Sequence, residues 1–402
     1  MATLIVLILG NRDDSWYLNF LIEFTLRSNH FVRITIVQPL KIYIDQQIAD
    51  FPLTQSILSR FKCPSLIVAN IKEVYRSLSR AVDSVQRGKE VLFLTQNKGA
   101  FIKKCPGTSH YTCCGYRILH IGTFCSMDCS YCILQSYFHP PLLTYFVNHE
   151  DLIIELDDLF AEKKRYRIGT GEFTDSMIWE KATDLSSLLV PKFSSQSNSI
   201  LELKTKTTAI NGLKNLPHNR KTIVSWSVNT NKVIHNEERN TASLSARLKA
   251  AAKCESWGYP VAFHFDPLII YNGCEPDYKQ VVEQIFSHVS AENIVWISLG
   301  TFRYMPSLKS MVQTRFPDSK IIYGEFISGI DGKERYFKPL RIKLYSNILS
   351  YIRKYSPDVM VYFCMEDDEV WKKSFGFIPS DRGGLPKMLD ESAALHCGLD
   401  EK

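Results

Sequence analysis

From Tyr116 onward, short apolar runs alternate with longer stretches of helical periodicity: YRILHIG, RYRIGTGEF, ILELKTK, TIVSWSVN, YPVAFHFDPLI and NIVWISLGTF. Short β-branched runs separated by helical patterns predict βα repeats, and βα repeats in series give a parallel sheet. Six or seven such strands are too many for a minimal nucleotide-binding fold and too few for a closed eight-fold barrel. The α/β fold expected is therefore a partial (β/α)6-type barrel, with its chemistry at the C-terminal ends of the strands. The polar clusters GTGEFTDS, KTKTT and SWSVN fall where those strands end.

Around this core the chain divides into an N-terminal α/β region (1–115), the barrel (116–330) and a C-terminal extension (331–402) of turn, helix and strand that could contact substrate. The N-terminal region carries no recognisable chemistry. Its apolar run Leu4–Leu9 (LIVLIL) is too short to span a membrane and is met at once by Gly10, Asn11, Arg12, Asp13 and Asp14, so it predicts a buried strand. With 45% hydrophobic and 22% charged residues the chain is an ordinary globular one, neither disordered nor collagen-like. A formal charge of +6 permits a polyanionic partner but falls short of a dedicated nucleic-acid binder. The 11 cysteines, odd in number, unevenly spread and without a signal peptide, point to reduced thiols and metal ligation in a cytoplasmic protein.

Three of those thiols, Cys125, Cys129 and Cys132, stand in FCSMDCSYCILQ with the spacing C-x3-C-x2-C. A structural zinc site needs four protein ligands, so a distant His139, Cys105, Cys113 or Cys114 would have to complete it. That reading makes the chain a zinc-stabilised nucleic-acid-binding protein without catalysis. The other reading is a [4Fe-4S] cluster held by three cysteines, whose fourth iron stays free to chelate a small molecule.

At these residues the chain resembles the radical S-adenosylmethionine (radical SAM) superfamily, whose signature is this spacing with an aromatic residue, here Tyr131, before the last cysteine. Together with ELKTKT, SWSVN and ERNTASLSARLKAAAKCESWGYPVAFHFDPLI, the loop CSYCILQ is similar to the spore photoproduct lyase family within it. The resemblance implies a [4Fe-4S] cluster on Cys125, Cys129 and Cys132, and S-adenosyl-L-methionine reductively cleaved to a 5′-deoxyadenosyl radical. It implies DNA or another nucleic acid as substrate, and an electron donor such as flavodoxin or ferredoxin. For the cofactor it implies contacts from Tyr131 as a flat apolar wall and Lys206 on the methionine carboxylate. Ser227 and Asn229, on one strand face, would meet the methionine or ribose. Within GTGEFTDS, Thr174, Asp175 or Ser176 would take a further contact, with Glu172 a weaker candidate. A radical SAM enzyme acting on RNA or a small nucleotide is the alternative within the same chemistry.

Two departures qualify the resemblance. The family's hydrogen-donating cysteine falls at Glu172 or Phe173, and its relay tyrosine falls at Ile133. Without both, the chain is expected to cleave S-adenosylmethionine yet return hydrogen poorly to a substrate radical, unless another thiol such as Cys254 or Cys274 has taken the role. Cys364, Cys105, Cys113 and Cys114 read as structural. The segment GKERYFKPLRIKLY, with Lys333, Arg335, Tyr336, Lys338, Arg341 and Lys343, could track a phosphate backbone. Arg303, at a strand end, would face the substrate.

Overall fold

The structure is a computed structural model that describes residues 37–108 and 110–400, so the LIVLIL run lies outside the described residues. β1 (Lys41–Asp45) pairs in parallel with β2 (Ser65–Val68) and with β3 (Val91–Thr95). β4 (Ile102–Lys104) and β5 (Arg117–Leu119) are antiparallel neighbours. The chain then returns to the first sheet through β6 (Gly122–Thr123) and, after the cysteine loop with its short strand β7 (Asp128–Cys129), through β8 (Leu143–Phe146). The resulting five-stranded sheet has the order β2-β1-β3-β8-β6.

The larger sheet takes β9 (Tyr166–Gly169), β10 (Ser199–Thr205) and β11 (Thr222–Ser227). β12 (Glu238–Arg239) leaves it to pair with β7, and β13 (Val261–Leu268) and β14 (Ile294–Thr301) rejoin it. β15 (Arg303–Tyr304), β16 (Phe326–Ser328) and β17 (Glu334–Tyr336) form a three-stranded antiparallel platform, and β18 (Val361–Phe363) closes the series. The eight-stranded order is β18-β14-β13-β11-β10-β9-β5-β4, parallel except at β4–β5, and the sheet curls into a half-barrel.

Strands covered on both faces can be apolar throughout, and every residue of β14 is buried. The outer face is covered by helices such as Leu244–Ser256 and Cys274–His288, which turn Leu248, Ala251, Val281 and Ile285 inward. Ser243 caps the first of these by accepting from the Ala246 amide at 3.3 Å. The concave face is polar: Glu202 of β10, His264 of β13 and Trp296 of β14 meet there, His264 Nε2 lying 2.7 Å and Trp296 Nε1 3.3 Å from Glu202 Oε1. Although burial opposes its charge, the adjacent His264 and Lys204 hold the Glu202 carboxyl at about 2.

All six runs expected as barrel strands form strands of this sheet in the expected order. The sheets run across residues 115 and 330: β6 and β8 complete the N-terminal sheet, and β18, beyond residue 330, supplies a barrel strand. The described residues belong to one compact unit. Between β4 and β5 the connection reaches across the open side of the half-barrel, where the Thr112 amide donates to Glu366 O at 3.2 Å just beyond β18.

Candidate metal centre and cofactor site

The cysteine loop begins at Phe124, which adopts φ 70°, a left-handed conformation rare for a bulky residue, with its amide fixed on Phe173 O at 2.8 Å. Cys125 and Cys129 are buried and Cys132 is partly so. The three thiols act on one another. Burial pushes Cys125 up to about 12, with Asp175 and Cys132 adding and Lys89 opposing. Burial likewise raises Cys129, with Cys132 and Cys125 among the contributors. Free thiols at Cys125 and Cys129 would stay protonated, so holding them as thiolates requires a compensating positive metal centre.

Among the described residues, no three His, Cys, Asp or Glu side chains close on a single point as the ligands of one ion would. A zinc ion would need four such ligands at about 2.0–2.3 Å. Three cysteines on one loop suit a cluster, whose ligands bind separate metal atoms. Ser126, between the first two cysteines, buries its hydroxyl without a partner, a donor that a cluster sulfide would satisfy. The residues present fit a three-cysteine iron-sulfur cluster.

The loop is clamped by groups far away in sequence. Gln135 Nε2 donates to the carbonyls of Cys129 (3.0 Å), Ser130 (3.1 Å) and Cys132 (3.3 Å), while its Oε1 accepts from Arg315. Arg315 also donates to Asp128 at 3.1 Å and Asp83 at 2.8 Å. Lys89, buried at the end of helix Ser84–Glu90, donates to Cys125 O at 3.0 Å and to Met127 O. The N-terminal region, expected to carry no chemistry, thus supplies a cation to the cysteine loop. Neither Lys89 nor Arg315 stands out in the sequence, because each acts through a fold-made contact rather than a motif, whereas Gln135 closes the CSYCILQ loop.

Tyr131 is buried, and its hydroxyl donates to Glu238, which also pairs with Arg247. Arg247 is wholly buried and further donates to Ala242 O, Ser227 O and Thr241 Oγ1 at 2.8–2.9 Å. Despite burial, Arg247 and Lys206 keep the Glu238 carboxyl below its ordinary value. Lys206 lies one residue past β10, with Nζ 5.6 Å from the Tyr131 ring centroid. Burial works against its charge, but Cys129 and Glu238 hold its pKa above the usual lysine value. Asp175 orients it by accepting its backbone amide at 2.9 Å and Thr205 Oγ1 at 2.8 Å. Tyr131, Lys206 and Asp175 are therefore gathered beside the cysteines.

Thr174, Ser176 and Asn229 are committed to scaffold contacts. Thr174 Oγ1 accepts from Trp179 Nε1 at 3.0 Å, and Ser176 Oγ accepts from the Lys204 amide at 3.0 Å and Thr170 Oγ1 at 2.8 Å. Asn229 is 1% exposed, donating to Pro267 O at 2.8 Å and accepting from Tyr278 at 3.0 Å. Ser227, at the end of β11, is buried and linked to Arg247 through its carbonyl. Glu172 pairs with Lys204, and Ile133 is 39% exposed.

The basic segment is not a free phosphate track. Arg341 is buried against Glu366 at 3.1 Å, Arg335 pairs with Asp331 at 2.8 Å, Lys338 with Asp367 and Glu369, Lys343 with Glu275, and Lys333 with Asp331. Arg303 sits at the mouth of the half-barrel, paired with Asp266 of β13 at 3.3 Å. Cys254 and Cys274 are buried on the helices of the outer face.

Residues 37–336 match the family model "Spore photoproduct lyase". The spore photoproduct lyase of Bacillus subtilis is 22% identical over 292 residues, covering 70% of this chain and 84% of that protein. The enzyme of a Geobacillus strain is 25% identical over 262 residues, 60% of this chain and 74% of its own length. In fold, the chain resembles a solved spore photoproduct lyase variant with bound AdoMet and dinucleoside spore photoproduct, at a TM-score of 0.72 and 20% identity over 81% of this chain and 99% of that one. The family model spans most of this chain, including all three cysteines and every strand of the half-barrel except β18, and on that ground the chain belongs to the spore photoproduct lyase family and is a radical SAM enzyme.

Proposed function

We propose that this enzyme cleaves S-adenosylmethionine reductively and uses the resulting radical to take a hydrogen atom from a damaged nucleic acid of the spore-photoproduct type. The observation that carries this reading is the grouping of three cysteines, two of them buried, with Lys206 and Tyr131 at the C-terminal end of the half-barrel. A [4Fe-4S] cluster with S-adenosylmethionine supplies, on one-electron reduction, a 5′-deoxyadenosyl radical. Cys125, Cys129 and Cys132 hold the cluster. Lys206, kept charged by its surroundings, takes the methionine carboxylate, and the Tyr131 ring forms a wall held by Glu238. Ser227 borders the same space, whereas Thr174, Ser176 and Asn229 position the strands that carry the contacts. The names of its relatives support a DNA photolesion as substrate. The electron would come from a donor such as flavodoxin or ferredoxin, in a cytoplasmic setting. Among the described residues no helix is long and apolar enough to cross a membrane.

The test is anaerobic incubation of cluster-reconstituted protein with S-adenosylmethionine and dithionite, with and without dinucleoside spore photoproduct. Formation of 5′-deoxyadenosine together with loss of the photoproduct is expected. A colourless protein binding one zinc, or an iron-loaded one that forms no 5′-deoxyadenosine, would overturn the reading.

A further inference from the structure

A substrate carbon that has lost one hydrogen atom must receive another before it can leave as a closed-shell product. Thiols are the most ready hydrogen-atom donors among side chains, and the family's donor position holds Glu172 or Phe173 here. The useful question is which thiol faces the cavity. Cys254 and Cys274 lie on the helices of the outer face, and Cys397 is buried in the C-terminal helix. Cys113 is exposed on the strap across the open side, and Cys105 and Cys114 are partly buried on the same strap without a contact like that of Cys364 with Arg303.

Cys364 is placed differently. Side chains alternate across a strand, and Phe363 of β18 turns outward onto Tyr345, Trp371 and Phe375, with ring centroids 4.3–4.9 Å away. Tyr362 and Cys364 therefore point to the concave face. Cys364 lies one residue beyond the C-terminal end of β18, its amide fixed on Leu299 O at 3.0 Å. Its Sγ accepts from Arg303 Nη2 at 3.4 Å, and Arg303 is held in turn by both oxygens of Asp266 at 3.3 Å. Gly300 makes room for this arrangement, since a Cβ there would lie 2.9 Å from the Asp266 carboxyl and 3.0 Å from Arg303 Nη1. Burial pushes the Cys364 thiol up to about 12; Arg303 opposes the rise, while Asp266, Cys105 and Glu172 add to it. The sulfur is thus protonated at neutral pH. Cys105 feels Glu172 as well, so what distinguishes Cys364 is its contact with Arg303 at the strand end.

We infer that Cys364, set at the C-terminal end of β18 and oriented by Arg303, is the thiol that returns a hydrogen atom to the substrate radical in this enzyme. In the step, the Cys364 S–H bond breaks homolytically and a C–H bond forms on the substrate carbon. One proton and one electron move together, and the unpaired electron remains on sulfur. Arg303 is a positioning residue, acting through the sulfur. The inference rests on the proposed hydrogen abstraction from a nucleic-acid photolesion.

Thiol hydrogens exchange with solvent and carbon-bound ones do not, so the test is run in D2O with dinucleoside spore photoproduct, S-adenosylmethionine and dithionite. The wild-type enzyme is expected to give thymine carrying one deuterium. Cys364→Ser, and Cys364→Ala as a second variant, should lower deuterated thymine per 5′-deoxyadenosine formed at least tenfold, with adducts of the reductant in its place. Deuterium transfer that survives in both variants but is lost in Cys105→Ser would overturn the inference, as would unlabelled thymine from the wild-type enzyme. A parallel reaction without photoproduct separates the two readings. There 5′-deoxyadenosine should still form, in the wild-type enzyme and in Cys364→Ser alike. 5′-Deoxyadenosine formed alongside untouched photoproduct would count against the proposed substrate alone, whereas equal deuterium in the thymine from wild type and Cys364→Ser would reject Cys364.

Discussion

Cys129 stands at the meeting point of the site, beside Cys125 and Cys132, within the influence of Lys206, and paired through β7 with Glu238. Its replacement by alanine leaves two thiolates, too few to keep a cuboidal cluster from exchanging with solvent. Cys129→Ala should therefore lose its iron and form no 5′-deoxyadenosine, as iron and acid-labile sulfide assays would show; full iron content would place the ligands elsewhere. Lys206 makes a different contribution. Lys206→Ala should retain iron but bind S-adenosylmethionine more weakly by about 1.5–3 kcal/mol, the scale of a charge-assisted hydrogen bond, or about 10- to 150-fold in Kd. Equilibrium dialysis against the cofactor checks this, and an unchanged Kd would remove Lys206 from the pocket.

At the scale of elements, the cysteine loop is held by its neighbours more than by itself. Lys89 satisfies the carbonyls of Cys125 and Met127, and Gln135 satisfies three more. Lys89→Met leaves two carbonyls unpaired and is expected to cost about 2–4 kcal/mol, with faster loss of iron to a chelator. Gln135→Leu should show the same fast loss, and chelation kinetics equal to wild type in both variants would show that the loop stands alone. This layer of the site was not legible in the sequence. The cysteines were, because three ligands must sit close together on one loop and their spacing records it. The strands of the half-barrel were also legible, because their short β-branched and aromatic runs, polar only at the alternate positions that face the concave side, stand out between helical patterns. Lys89 and Arg315 carry no such record, since a surface lysine or arginine looks the same until the fold places an acceptor in front of it. The basic run from Lys333 to Lys343 misleads for the same reason, its acidic partners Glu275, Asp367 and Glu369 lying in other elements.

Taken whole, the half-barrel encloses a polar interior centred on Glu202, and this ties stability to pH. The Glu202 carboxyl lies at about 2, below the unfolded value of 4.5, so its stabilising effect is fully present above pH 4.5 and fades as pH falls toward 2. The effect is on the order of 3 kcal/mol. Glu202→Gln should be less stable than wild type at pH 7, leaving His264 and Trp296 poorly paired, and the gap should narrow between pH 4.5 and 2. Urea unfolding of the iron-free proteins at several pH values would show it; a gap independent of pH would mean that the carboxylate is not charged in the folded chain. The clamp on the cysteine loop has a consequence in time as well as in space. Arg315 reaches Gln135 across 180 residues of chain and Asp128 across 187. During synthesis the cysteines leave the ribosome long before the arginine that braces them. The cradle for iron thus belongs to the nearly finished polypeptide, and a nascent chain halted before residue 315 would present the same three thiols without the brace that fixes their carbonyls and their spacing.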